Sequence, residues 1–254
     1  MLGAIIGDVI GSVYEKAGLK TIDFELFIPE SHFTDDTVLT IAVMDCLINQ
    51  KDYTPTFQEY GRRYQQVGFS KNFKNWLAAE NPQPYPADTN GAAMRVSPIA
   101  WFYDRLESVQ AEAERSAVVS HQHPDAINAA VATASAIFLA RKGSTKTEIK
   151  NYLEAEFGYN LSRTLEAIRP TYTFATAATQ SVPEAIIAFL ESFDYEEAIR
   201  NAISLGGDAD TQASIAGALA EAFYKKIPTT IATETIRRLP LGFIETLDEF
   251  YSRI

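Results

Sequence analysis

Apolar residues recur along most of this chain at three- and four-residue spacing, and strand-like alternation is nearly absent. The pattern predicts helices over 1–15, 38–48, 55–67, 94–104, 106–120, 125–140, 147–156, 161–168, 183–191, 196–205, 209–224, 229–238 and 243–254. Pro124 and Pro183 fall where a first helical residue is expected, a position that dispenses with the backbone N–H. Residues 16–33 read as an irregular excursion. Residues 68–86, punctuated by Gly68, Pro82, Pro84 and Pro86, read as a long loop. The fold class is all-α, and no linker divides residues 1–254 into more than one domain.

The first of these helices carries two unusual faces. Leu2, Ile5, Ile6, Val9, Ile10 and Val13 cover most of its circumference, which places it in the core. Gly3, Gly7 and Gly11 recur every four residues and leave one face bare, although each glycine costs a helix about 1 kcal/mol relative to alanine. Such a face lets another backbone or a ligand approach closely. Asp8, Ser12 and Glu15 share a stripe, and a buried carboxylate there needs a partner or a metal ion.

Two polar clusters open apolar helices elsewhere: Thr34-Asp35-Asp36-Thr37, and Gly206-Gly207-Asp208-Ala209-Asp210-Thr211. One acidic first turn is ordinary, because free N–H groups and the helix dipole favour it. Two such starts, each with paired carboxylates and hydroxyls, point to one oxygen-lined site assembled in the fold. Oxygen donors without Cys or His suit a hard cation such as Mg²⁺, Mn²⁺ or Ca²⁺, not zinc or copper. An EF-hand loop beginning at Asp208 fails, since Ala213 and Leu219 stand where glycine and glutamate are required. Six oxygen ligands in a helical protein have room for two divalent ions, which together clamp substrate oxygens and activate water.

Composition narrows the field further. The 254 residues are 46% hydrophobic and 22% charged, with a net charge of -11, so no electrostatic footprint for long nucleic acid is present. Cys46, the single cysteine, sits among apolar neighbours as a core thiol and fits a reducing cytoplasm. The apolar start lacks a basic flank and is interrupted by Asp8, so neither a signal peptide nor a membrane span is expected. His121 and His123, two apart, do not share a helix face and cannot form a helix-borne zinc pair.

Taken in order, Gly3-Ala4-x-x-Gly7-Asp8-x-x-Gly11-Ser12-x-x-Glu15, Phe33-Thr34-Asp35-Asp36-Thr37, Asn90-Gly91-Ala92-Ala93-Met94-Arg95, Ser120-His121 and Gly206-Gly207-Asp208-Ala209-Asp210-Thr211 resemble the ADP-ribosylglycohydrolases, the family that includes the dinitrogenase-reductase-activating glycohydrolase. The likeness runs nearly end to end. It implies a compact all-α domain with a binuclear Mg²⁺ or Mn²⁺ centre in a central cleft. Thr34, Asp35, Asp36, Asp208, Asp210 and Thr211 would then ligate the metals, with Glu15, Asp36 and Asp208 taking part in catalysis. Ser12, Asn90, Gly91, His121 and Gly207 would line the ADP-ribose cleft.

Many bacterial relatives read Ser-Tyr-Gly-Asn-Gly where this chain has Ala87-Asp88-Thr89-Asn90-Gly91, other members carry an aspartate in this loop, and Asp88 is the candidate to supply that carboxylate. The implied activity is hydrolysis of the ribosyl C1″ bond of an ADP-ribosylated protein or related conjugate by a cytoplasmic monomer. The alternatives are an ester- or polymer-directed hydrolase and a binding or structural protein on the same fold.

Overall fold

The glycine face of the first helix is where the fold closes. In the computed structural model, which describes residues 1–254, α1 (Leu2–Gly11) lies antiparallel against α12 (Ala209–Tyr224). A β-carbon on Gly3 would strike the Gly217 carbonyl, one on Gly7 the Ala213 carbonyl, and one on Gly11 the start of α12 at Ala209 and Asp210. Both helices are buried along nearly their whole length. The three glycines thus give up helix propensity for backbone-to-backbone contact, and one core of 70 buried residues surrounds the pair.

The remaining helices wrap this axis. α2 (Asp35–Asn49) packs beside α1, with α3 (Tyr53–Arg63) laid across it. α4 (Lys71–Ala78) is a helix where the sequence pattern predicts only loop. Ser70 caps it by accepting from the Phe73 N–H, and Phe73, Trp76 and Leu77 form its buried side. A one-turn 3₁₀ segment at Asn90–Ala92 precedes α5 (Ser97–Phe102), which begins later than expected because Pro98 belongs to its first turn. α6 (Leu106–Val118) and α7 (Pro124–Arg141) form an antiparallel hairpin, Pro124 occupying the first helical position as expected.

α8 (Lys146–Phe157) opens with a Thr145/Glu148 capping box, and α9 (Leu165–Ile168) is one short turn. α10 (Ala178–Leu190) corrects another expectation, for Pro183 lies inside it. The helix starts five residues earlier because Ala178 N–H is anchored on the Asp88 carbonyl, and Gln180 and Ser181 then bond to the Ala177 carbonyl. α11 (Tyr195–Ile203) and α10 pack on α12, and α13 (Thr229–Ile236) and α14 (Leu241–Tyr251) close the chain against α1 and α2. Two isolated β-bridges, Tyr85 with His121 and Thr89 with Ala177, tie the loops at one end of the bundle. No helix is long and apolar enough to cross a membrane. Cys46 is free and buried, its thiol pushed up to about 12 by burial.

Candidate active site

The antiparallel seam brings the last turn of α1 to the first turn of α12. Asp8, on α1, then fixes α2. The Thr34 and Thr37 N–H groups donate to Asp8 Oδ2 at 2.9 and 3.1 Å, the Thr34 hydroxyl donates to Oδ1 at 2.6 Å, and the Thr37 hydroxyl also donates to Oδ2. A fully buried carboxylate with four donors is a latch between two helices. Thr34, the N-cap of α2, in turn accepts from the Asp36 N–H at 3.3 Å.

On the other side, Gly206 takes a left-handed conformation (φ 67°) with Gly18 and Leu19 against it, and the chain turns into α12. Asp208 stands at the N-cap without capping; Asn90 Nδ2 donates to its Oδ2 at 2.6 Å instead. Asp210 accepts from the Thr211 N–H at 2.9 Å, and the Thr211 hydroxyl donates to Asp36 Oδ2 at 3.2 Å. Carboxylate oxygens of Asp8, Asp36 and Asp210 lie within 4.8 Å of one another.

The ion pairs of the chain all lie elsewhere, so no Lys, Arg or His neutralises these acids. Asp36 is 2% exposed, and its Oδ1 has no hydrogen-bond partner at all. Burial, then repulsion from Asp210, holds Asp35, Asp36 and Asp208 well above the ordinary carboxylate range, and raises Asp8 to about 6. The same two causes raise Glu15. An uncompensated array of hard oxygen donors with one orphaned buried oxygen fits a divalent cation.

All of these acids except Asp8, which lies behind them, line a cavity of about 610 Å³, a volume suited to a nucleotide-sized ligand. Ser12, Glu15, Thr34, Asp35, Asp36, Asn90, Gly91, His121, Asp208, Asp210 and Thr211 all line it, although they come from five separate stretches of sequence. Ser12 reaches the cavity with its hydroxyl already engaged, donating to the Val9 carbonyl and accepting from the His32 N–H. Asp88 and Gly207 do not line the cavity. The Asp88 side chain is exposed, and its contribution is the carbonyl that anchors α10. Gly207 is buried behind the wall, where a β-carbon would strike the Tyr172 ring and the Gln212 side chain.

Tyr85, Arg95, Phe174 and Thr176 line the cavity without having been singled out from sequence. Arg95 closes a motif already noted, which was a usable signal. Phe174 and Thr176 lie between α9 and α10 with none.

The sequence profile of the ADP-ribosylglycohydrolases matches residues 1–251. The chain belongs to the ADP-ribosylglycohydrolase family. It is 27% identical to the ADP-ribosylhydrolase ARH3 of Homo sapiens, over 88% of this chain and 84% of that protein. It is 25% identical to the ADP-ribosylarginine hydrolase Tri1 of Pseudomonas putida (strain GB-1), over 88% of this chain and 69% of the relative. A solved structure described as an ADP-ribosylglycohydrolase-related protein complex superposes with a TM-score of 0.71 at 23% identity, covering 99% of this chain and 96% of that one, and establishes likeness of fold. The helical ADP-ribosylglycohydrolase architecture expected from the sequence is therefore the one observed.

Proposed function

We propose that this ADP-ribosylglycohydrolase hydrolyses the ribosyl C1″ bond of an ADP-ribosylated protein side chain or related conjugate, with two divalent cations, Mg²⁺ or Mn²⁺, held by Thr34, Asp35, Asp36, Asp208, Asp210 and Thr211. The observation that carries the reading is the buried, uncompensated acid wall of a nucleotide-sized cavity, ending in the orphaned Asp36 oxygen. Bound cations supply Lewis acidity toward ribose hydroxyls and lower the pKa of coordinated water.

The protein's own groups do the rest. Asn90 holds Asp208 through Oδ2. The Thr211 hydroxyl orients Asp36. Glu15, at the cavity wall and raised by burial, takes or returns a proton near the reacting carbon. The fixed carboxylates oppose the positive character that builds on the ribose as its glycosidic bond breaks. His121 and the Asn90-Gly91 turn hold the remainder of the ligand.

The relatives named above include a hydrolase of ADP-ribosylarginine, which makes an arginine linkage one candidate. A serine or acyl ester and a short polymer are the others. Release of free ADP-ribose from Arg-, Ser- and ester-linked substrates and polymer, in Mg²⁺, Mn²⁺ or EDTA, decides among them. Release from one linkage that disappears in EDTA supports the reading, and full activity in EDTA overturns the metal mechanism. Glu15→Gln is expected to lower kcat about a hundredfold while leaving ADP-ribose affinity within about threefold, measured by steady-state kinetics and calorimetry.

A further inference from the structure

The cavity that holds the acids is also lined by a buried cation and a histidine. Arg95 is 0% exposed, makes no carboxylate contact, and rests its guanidinium 4.5 Å above the Phe57 ring. Its Nη2 donates to the Ser116 carbonyl at 2.8 Å and to Ser120 Oγ at 2.9 Å. Ser120 is equally buried, and its hydroxyl has one further partner, His121 Nδ1 at 2.9 Å.

Proton counting decides which way that contact runs. A guanidinium has only donors, so Ser120 Oγ must accept from Arg95. The one hydroxyl hydrogen of Ser120 then has a single acceptor within reach, Nδ1 of His121. Were Nδ1 protonated, Ser120 would receive two donors and its own hydrogen would be buried without a partner, at a cost of the same order as a lost hydrogen bond.

We propose that Arg95 and Ser120 are positioning residues that hold His121 as the neutral tautomer protonated on Nε2, so that it presents a fixed N–H donor to the ligand. The backbone frames this arrangement: His121 N–H donates to the Ala117 carbonyl, and Tyr85 bridges Ser120 and Gln122 through its own N–H and carbonyl. The Tyr85 ring covers the imidazole at 5.5 Å between centroids. On the cavity side Nε2 meets only Thr89 Oγ1, at 3.3 Å, with Gly91 beside it, where a β-carbon would make ordinary contact at 3.4 Å. Burial, then the Arg95 charge, pushes His121 down to about 3, which keeps the ring neutral as a donor should be if it is never to act as an acid. That the ligand is ADP-ribose rests on the function proposed above; the tautomer does not.

The test is a long-range ¹H–¹⁵N correlation spectrum of the imidazoles of the full-length chain between pH 5.5 and 8. The chain has three histidines, and His121→Gln identifies the relevant signals. The expected result is an unprotonated Nδ1 and a protonated Nε2 throughout. Ser120→Ala should shift both resonances toward tautomer averaging, and Ser120→Thr, which keeps the hydroxyl, should restore them. A protonated Nδ1 in the wild type, or Nδ1 unmoved in Ser120→Ala, overturns the proposal. The wild-type spectrum decides even if a variant fails to fold. Calorimetry with ADP-ribose should show about three- to tenfold weaker binding by Ser120→Ala, restored in Ser120→Thr. Absence of binding by the wild type would overturn the functional reading, while the resonances still judge the tautomer.

Discussion

Asp8 and Asp36 lie a few ångströms apart, both buried, and they could hardly be served more differently. Asp8 receives four hydrogen bonds from two threonines and joins α1 to α2. Asp36 receives one long hydroxyl contact on Oδ2 and nothing on Oδ1. The first has its charge distributed over fixed protein dipoles and is part of the frame. The second meets no provision in the frame for its charge, so that its desolvation cost is offset only by a proton or by a bound cation. A buried acid is thus read by what its oxygens touch, since burial alone does not separate the two.

Substitution breaks the pair apart most sharply at Asp36, the member proposed to hold metal. Asp36→Ala or Asp208→Ala is expected to lower kcat/KM by about a thousandfold or more, with urea midpoints in EDTA unchanged or raised, because a repulsive charge has been removed. Loss of stability equal to the loss of activity would erase the distinction.

Divalent cation should next stabilise the wild type by about 2.7 kcal/mol at a hundredfold excess over Kd, and Asp36→Ala far less. The increment is expected to grow from pH 5 to pH 8. Carboxyls raised in the folded state contribute stability that is complete below their unfolded pKa and is lost as pH rises through the folded values, about 6 for Asp8 and well above the ordinary range for Asp35, Asp36 and Asp208. The cation-free protein therefore carries the greater strain at high pH, where protons no longer compete with the metal. His121, pushed down to about 3, acts in the opposite sense, losing stability as pH falls below its unfolded value; it does so with or without cation and cancels from the difference. Paired thermal melts across that range check the sign.

Asp8→Asn retains an acceptor oxygen but aims an amide at donors, and should cost about 2 kcal/mol in urea unfolding. Asp88→Ala is the control, an exposed carboxylate whose removal should change stability by less than about 0.5 kcal/mol and activity by less than about twofold. A large loss of activity there would return the loop carboxylate to the mechanism.

Much of this was legible beforehand, because helical periodicity reports burial and the bare face of Gly3, Gly7 and Gly11 announces a close neighbour. The paired acids at two helix starts were legible for the same reason: charge repulsion next to apolar runs is locally anomalous. Helix limits were less so. α4 is hidden among Pro and Gly, although Phe73, Trp76 and Leu77 keep helical spacing. Pro183 suggested a beginning where the chain has an interior, since the anchor of that helix, the Asp88 carbonyl, is distant in sequence. The partnership of Asp8 with Thr34 and Thr37, and of Arg95 with Ser120, exists only once separate segments meet. No local pattern encodes it.

The glycine seam also sets a tolerance. Where Gly3, Gly7 and Gly11 meet α12 the contact is largely backbone on backbone, so the main chains that carry Asp8 and Asp210 are held at a separation set by that contact. The acid wall is in effect machined to a spacer, and a single added methyl at Gly7 would act as a shim, changing the spacing between α1 and α12 without touching a carboxylate.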